Sequence, residues 1–450
     1  MPRAAALAGR GRGAPGPSMS TRFLLLFVAA IGAHGTVVGT NPPSAPLTAT
    51  RIAKLPVEQQ PAWRAYLARS DALRHIDQQT LANERSASSA KDQVLLSPAE
   101  SRVAARRMLR HPLDWYATDE GRRAADNVVT FQTPAGGWGK NFDPTDHPRR
   151  PGEAYSHDNN SRYLVAEDND RPANLDWSYI GTFDNDATTT ELRFLGRVAA
   201  RADAARGTEW RRAFRRGLEY IYAAQFPNGG WPQVFPLDGG YHDGVTFNDD
   251  AMTNVLVLLR DVAAGAPEFA WLGDADRQRA ATAGERGRQC LLRCQVVVRG
   301  ALTGWPQQAD PLTLKPASAR NYEMPALSSG ETAGIVAYLM SLPHPSAEVI
   351  AAIEGAVHWL RATAMSDVAW RTAADGRGRT LVRAPGKGPL WPRYLEIGTN
   401  RALFGDRDKT IHDRLDEISA ERRNGYAWYG DAPKRVLDEY PQWARAHHAR

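Results

Sequence analysis

Cysteine is almost absent. The 450 residues hold two, Cys290 and Cys294, in QCLLRCQ. Four residues apart on a helix, they share one face with poor disulfide geometry, so the chain is expected to fold without a disulfide. No zinc-ligand pattern accompanies them, and no two histidines of the body stand at metal-ligand spacing. A P-loop, a dinucleotide fingerprint and a Gly-x-Ser-x-Gly elbow are all missing, which excludes the phosphate-cradling and serine-nucleophile chemistries they serve. There is no Lys/Arg tract interleaved with aromatics, so nucleic acid is not an expected partner.

Long apolar runs are lacking as well, with one exception. FLLLFVAAIGA at 23–33 follows Arg22 and leads into Ala33-His34-Gly35. It is too short to cross a bilayer as a helix and has the form of a secretory signal peptide, over residues 1–35 with Met19 as the start. The expectation is a secreted or periplasmic bacterial protein with no membrane association once the leader is removed.

The apolar share of 42% and charged share of 24% are those of a globular protein. A net charge of +6 points to a polyanionic partner, and an acidic polysaccharide would account for it. Part of the excess, as in RRAFRRG, reads as a solvated helix face. Thirteen Trp and fourteen Tyr are many, and several lie beside Gly or Pro, where flat rings could line a sugar cleft.

Residues 36–56, rich in Pro, Thr and Ser, read as a linker, and 57–95 as an amphipathic helical extension. The body, 96–450, opens at SPAE, where Ser97 and Glu100 have capping-box spacing. Within it two elements recur. Gly-Trp turns stand at PAGGWGK, PNGGWPQ and LTGWPQQ, with Trp138, Trp231 and Trp305 spaced 93 and 74 residues apart. Acidic or amide residues also precede a helix three times, at DNDATTTELRFL, NDDAMTNVLVLL and SGETAGIVAYLM. In the second of these helices Met252, Val255, Leu259 and Val262 form an apolar stripe. Repeated helical hairpins with polar loops at matching ends predict a mainly α fold, an α/α toroid whose loops converge on one cleft.

Asp184, Asn185 and Asp186 offer hard oxygens of the kind calcium prefers, and Asn248, Asp249 and Asp250 repeat the offer. Helix capping, with Thr188 and Glu191 as a capping box, is the competing reading. Paired carboxylates would also suit an inverting glycoside hydrolase. Arg320, in LKPASARNYEMPALSSGE, has Tyr322 and Glu323 to orient it or close its loop, while Glu331 reads as a capping-box partner of Ser328. Arg393, Arg401 and Arg407 stand among aromatics, either to bind an anion or to pair with Glu396, Asp406 and Asp408. Lys140 and Lys315 extend the cationic theme.

Taken together, GGWGKNFD, TFDNDATTTELRFL, QFPNGGWPQVFPL, YHDGVTFNDDAM, GWPQQADPLTLKPASARNYEMPALSSGET and RYLEIGTNR resemble, in order over about 95–435, the family 10 pectate lyases. The resemblance implies an (α/α)₃ toroid that cleaves polygalacturonate by calcium-assisted β-elimination. It implies Arg320 as the base, Asp184, Asn185 and Asp249 as calcium ligands, and Arg401 or Arg407 as a substrate contact. Lys140, Asn248, Trp305, Lys315 and Tyr322 are further expected to meet the substrate, and the protein to be a monomer. Since arginine is effectively always protonated, cations are expected around Arg320 to disfavour its charged form. A non-catalytic binder of acidic polysaccharide and an inverting hydrolase are the competing functions.

Overall fold

The computed structural model describes residues 37–87, 104–157, 177–203, 205–373 and 378–448. The expected signal peptide and the SPAE opening of the body lie outside the described residues.

Three helix pairs carry the fold. Thr189–Ala199 packs on Thr208–Ala224, Ala251–Ala263 on Asp274–Arg293, and Ser329–Met340 on Ala347–Ala362. The first helix of each pair touches its counterpart in the next and is buried round most of its girth, as an inner helix of a ring must be. The second helices are amphipathic. In Thr208–Ala224, Phe214, Leu218 and Ile221 turn inward while Arg212 and Arg215 stay exposed, so RRAFRRG is the solvated face its composition suggested. The architecture is a mainly α (α/α)₃ toroid.

The Gly-Trp turns hold the ring together from inside. Trp138, Trp231 and Trp305 are fully buried, and each indole N–H donates at 2.8 Å to a carbonyl of the preceding helix, those of Val128, Ile221 and Leu291. Trp391 repeats the contact with Leu360 at 2.7 Å. A glutamine accompanies each of the first three turns. Gln132 donates to Gly136 and Ala213, Gln225 to Gly229 and Ala283, and Gln295 to Thr303 and Ala352, all between 2.7 and 2.9 Å. Each amide therefore ties its own turn to the outer helix that follows. The glycine before the Gly-Trp pair is required: a Cβ at Gly136 or Gly229, both at positive φ, would fall 2.7 or 2.2 Å from a backbone oxygen.

The strands are short and antiparallel. Gly181–Thr182 pairs with Val234–Phe235 and Val245–Thr246 with Gln308–Ala309, linking successive repeats at the end where the polar loops lie. The segment expected as a linker is built into the fold instead. Val37–Thr40 forms the edge of a five-stranded sheet against Thr410–His412, and Ala49–Ile52 is a short helix. Its Pro-rich composition hid the β-branched run that pairs. The helical extension is one helix, Gln60–Ala87. It docks through a Tyr66 hydroxyl donated to Ala224 at 3.1 Å and through the Asp77 carboxylate, which accepts the Ala135 N–H at 2.7 Å.

Candidate active site

Two short turns, Asp184–Asp186 and Asn248–Asp250, precede the first two inner helices and pack against each other. Buried Phe183 and Phe247 anchor them. Beyond these anchors Asn185, Asp186, Asp249 and Asp250 all adopt φ between 50 and 66°. Asn and Asp tolerate this left-handed region better than other residues with a Cβ, which explains their presence on local grounds. The geometry then splits each trio. Asp184, Asn185, Asn248 and Asp249 line one cleft of about 240 Å³. Asp186 turns away to pair with Arg106 and accept from Asn254 at 2.7 Å, and Asp250 faces Gly334 on the far side.

Helix capping explains these clusters only in part: the Glu191 carboxyl takes the Thr188 N–H, the glutamate half of the expected capping box. No N-cap side chain closes either turn or the helix Thr189–Ala199. The Thr188 hydroxyl accepts the Trp138 N–H at 3.0 Å and donates to the Thr182 carbonyl at 2.9 Å, serving the Gly-Trp turn instead.

The opposite wall is basic, and its charges are matched by acids. Arg320 donates from Nε and Nη2 to the two carboxylate oxygens of Glu323, at 2.9 and 2.6 Å. The Tyr426 hydroxyl donates to Glu323 at 2.6 Å and lies 2.7 Å from the Tyr394 hydroxyl, which in turn bonds Gln307. Burial pushes the Glu323 carboxyl up, but the Arg320 charge and these hydrogen bonds outweigh it and hold the group at about 2. Burial likewise pulls the Arg320 guanidinium down, yet Glu323 overrides it and holds the arginine well above its ordinary value. Cations do stand near Arg320, Arg393 and Arg422 among them, but among the described residues the largest charge acting on it is the Glu323 carboxylate. Its side chain is still 37% exposed.

Arg393 completes the wall. Its Nη2 donates to Asn248 and Glu331, both at 2.9 Å, and its guanidinium lies 4.8 Å from the Tyr426 ring. Glu331 also accepts from the Ser328 hydroxyl, so the expected capping-box residue serves the cleft as well. At the other end Lys140 pairs with Asp184. The cleft therefore carries three ion pairs among the described residues: Lys140–Asp184, Arg320–Glu323 and Arg393–Glu331. An anionic guest could compete for each cation, and a metal cation for the acids.

Of the residues expected here, Lys140, Asp184, Asn185, Asn248, Asp249 and Arg320 come together. Four others do not, and a fifth sits behind the wall. Trp305 is a core residue with no exposed surface. Lys315 is exposed on a loop away from the cleft. Arg401 is exposed and held by Glu396, as the ion-pair reading expected, and by Asp413, while Arg407 pairs with Glu421, an acid outside that reading. Tyr322 is 4% exposed and backs Arg320, whose guanidinium lies 5.1 Å from its ring. Sequence reasoning missed Tyr426 and Gln307, and it noted Arg393 without choosing it. No local signal singled out Arg393: it reaches Glu331 because Tyr394–Leu395 pairs with Leu327–Ser328, far away in sequence.

The pectic acid lyase family matches residues 132–437 of this chain. The chain belongs to that family. Two solved structures of the family 10 polysaccharide lyase from Cellvibrio cellulosa are similar to it, each at 30% identity and a TM-score of 0.61. One is an aspartate-to-alanine mutant in complex with trigalacturonic acid, covering 73% of this chain and 95% of its own. The other covers 74% and 95%. No curated protein matches.

For this pectate lyase the donor inventory bears on metal binding. Among the described residues no three acidic, histidine or cysteine side chains cluster as a complete metal cage. Two carboxylates, Asp184 and Asp249, stand with amide groups in one cleft, and an ammonium already rests on Asp184. That set suits calcium, which takes six to eight oxygens, if water and a substrate carboxylate supply the remainder.

Proposed function

We propose that the chain cleaves polygalacturonate by β-elimination, with Arg320 as the base and calcium held by Asp184, Asn185 and Asp249. The observation that supports this most is the placement of Arg320, its side chain 37% exposed, in the same cleft as the acid and amide groups of both turns. The trigalacturonic acid held by the solved relative extends, on this reading, to the substrate class here.

In the reaction one Arg320 nitrogen takes the proton from C5 of a uronate. The C5–H electron pair becomes the C4–C5 double bond, the bond from C4 to the bridging oxygen breaks, and the departing oxygen takes a proton from water. Arg393 and Lys140 present cations that a uronate carboxylate can claim from Glu331 and Asp184. Calcium, when bound, neutralises that carboxylate and so acidifies the C5 proton. Glu323 and Tyr426 fix where Arg320 points, at the cost of holding it protonated, so the competent base is scarce at neutral pH. Activity should therefore climb through the alkaline range.

The test follows the ultraviolet absorbance of the unsaturated product on polygalacturonate, with calcium and then with excess chelator, beside a reducing-end assay. A rise that needs calcium and vanishes in Arg320→Ala is expected. New reducing ends without unsaturation would mean hydrolysis and sink the reading. In that outcome the acidic groups of the two turns, Asp184 and Asp249, would become the candidate catalytic pair. The leader-like run at 23–33 supports export, which fractionation of the producing cell would test.

A further inference from the structure

The backbone of Arg320 is bonded by a residue 279 positions away in sequence. Asn41 follows the edge strand Val37–Thr40 and is 1% exposed. Its Nδ2 donates to three carbonyls of one turn, those of Arg320 at 3.0 Å, Asn321 at 2.9 Å and Glu323 at 3.2 Å. The turn itself is closed by the Glu323 N–H on the Arg320 carbonyl at 2.8 Å and the Ala319 N–H on the Glu323 carbonyl at 3.0 Å. One amide thus grips the backbone of both partners of the Arg320–Glu323 ion pair. Asn41 is held in turn, its own N–H donating to the Lys409 carbonyl at 2.7 Å, while Asn321 reaches the Arg407 carbonyl at 2.8 Å.

We propose that Asn41 is a positioning residue for the reaction, and that the N-terminal segment 37–41 is part of the catalytic apparatus. This rests on Arg320 being the base. The side-chain type is specific. Only an amide of this size brings an NH₂ to three carbonyl oxygens, and an aspartate there would set a carboxylate against them. A strand on the outer sheet is rigid where a free loop is not, and the pairing with Thr410–His412 fixes the register of residue 41. Loss of the grip lets Arg320 and Glu323 shift together or apart. A misplacement of about 1 Å can cost roughly 100-fold in rate.

The experiment compares Asn41→Ala and Asn41→Ser with the unmodified full-length chain, by kcat and KM on polygalacturonate across pH and by thermal unfolding. In folded variants kcat should fall roughly 10- to 100-fold with KM changed less than about twofold. The pH–rate curve should also move to lower pH, because a loosened Glu323 no longer holds Arg320 protonated as strongly. A loss of equal size at every pH would make Asn41 merely structural and overturn the proposal, as would unchanged kinetics. Failure of both variants to fold would do the same. Arg320→Ala, measured in parallel, separates the two ideas. If it keeps its activity, the base assignment fails whatever Asn41 does. If it loses activity while the Asn41 variants behave normally, only the positioning role fails.

Discussion

Glu323 grips Arg320 three times, taking its Nε at 2.9 Å, its Nη2 at 2.6 Å and its backbone N–H at 3.0 Å. Orientation and basicity pull against each other in this pair. The carboxylate that fixes the guanidinium is also the charge that keeps it protonated. Glu323→Gln retains the shape and removes the charge. Its pH–rate curve should move to lower pH by about one unit or more, with a lower maximum from poorer orientation. A curve that keeps its position would mean that Arg320 is not the group titrating.

The same pair contributes to stability in acid, as does Glu421, which Arg422 and Arg407 hold at about 2 as well. Glu323 titrates at about 2 in the fold against 4.5 for a free glutamate, so its contribution is complete above about 4.5 and is lost as pH falls towards 2. At neutral pH the linkage amounts to on the order of 3 kcal/mol. Urea unfolding of Glu323→Gln should show a lower midpoint than the parent at pH 7, and the gap should narrow as the buffer is taken towards pH 2. A gap of constant size would place the loss in packing rather than in charge.

Arg393 and Arg401 separate what the cleft needs from what its neighbourhood happens to contain. Arg393 reaches Asn248 and Glu331 inside the cleft, whereas Arg401 lies exposed between Glu396 and Asp413. Arg393→Ala should raise KM for polygalacturonate roughly 10-fold or more and leave Glu331 without its cation. Arg401→Ala should leave KM and kcat unchanged, with stability within about 0.5 kcal/mol of the parent. Steady-state kinetics on both variants decide it.

What the sequence made legible was the part with a local signature. The Gly-Trp turns and the Asp/Asn trios announce themselves within a few residues, and their recurrence gave the ring and the acidic half of the cleft. The misreadings have physical causes. Trp305 stands between glycine and proline, as a sugar platform might, but its indole N–H is satisfied by Leu291 and its ring by the core. Trp391 escaped the repeat because the ribbon of Val368–Thr372 and Arg379–Arg383 separates it from its helix. Arg393 reaches the cleft, and Asn41 the backbone of the Arg320 turn behind it, only through strand pairings distant in sequence, which composition and periodicity do not reveal. Capping turns and oxygen-rich ligand turns begin with the same residues, and the positive φ values here account for Asn and Asp on local grounds under either reading.

The glutamine staples predict a cooperative loss that no cleft residue would cause. Gln225 is buried and donates at 2.9 Å to both Gly229 and Ala283. Gln225→Leu keeps the volume and strands two buried carbonyls, a cost of roughly 2–5 kcal/mol. The urea midpoint should fall with the slope unchanged, and kcat should persist in the fraction that remains folded. A midpoint within error of the parent would show that water reaches those carbonyls.

The alkaline chemistry proposed for Arg320 meets a difficulty at Asp77. The residue is fully buried on the helix Gln60–Ala87, and one of its oxygens accepts the Ala135 N–H while the other has no partner among the described residues. Burial raises its carboxyl to about 8, the Ala135 hydrogen bond and Arg216 offsetting only part of the effect. In the unfolded chain the same group ionises near 3.8. Between those two values the unfolded state binds fewer protons than the fold, so stability declines as pH rises from about 4 to about 8 and levels off above. Asp77→Asn keeps an oxygen for the Ala135 N–H and cannot ionise. Its thermal midpoint should match the parent's near pH 4 and exceed it increasingly towards pH 9, by several degrees at most for a chain of this size. If the advantage were instead the same at both ends of the range, Asp77 would be ionised in the fold throughout. The helix Gln60–Ala87 would then be held to the Gly-Trp turn by charge rather than by a neutral carboxyl.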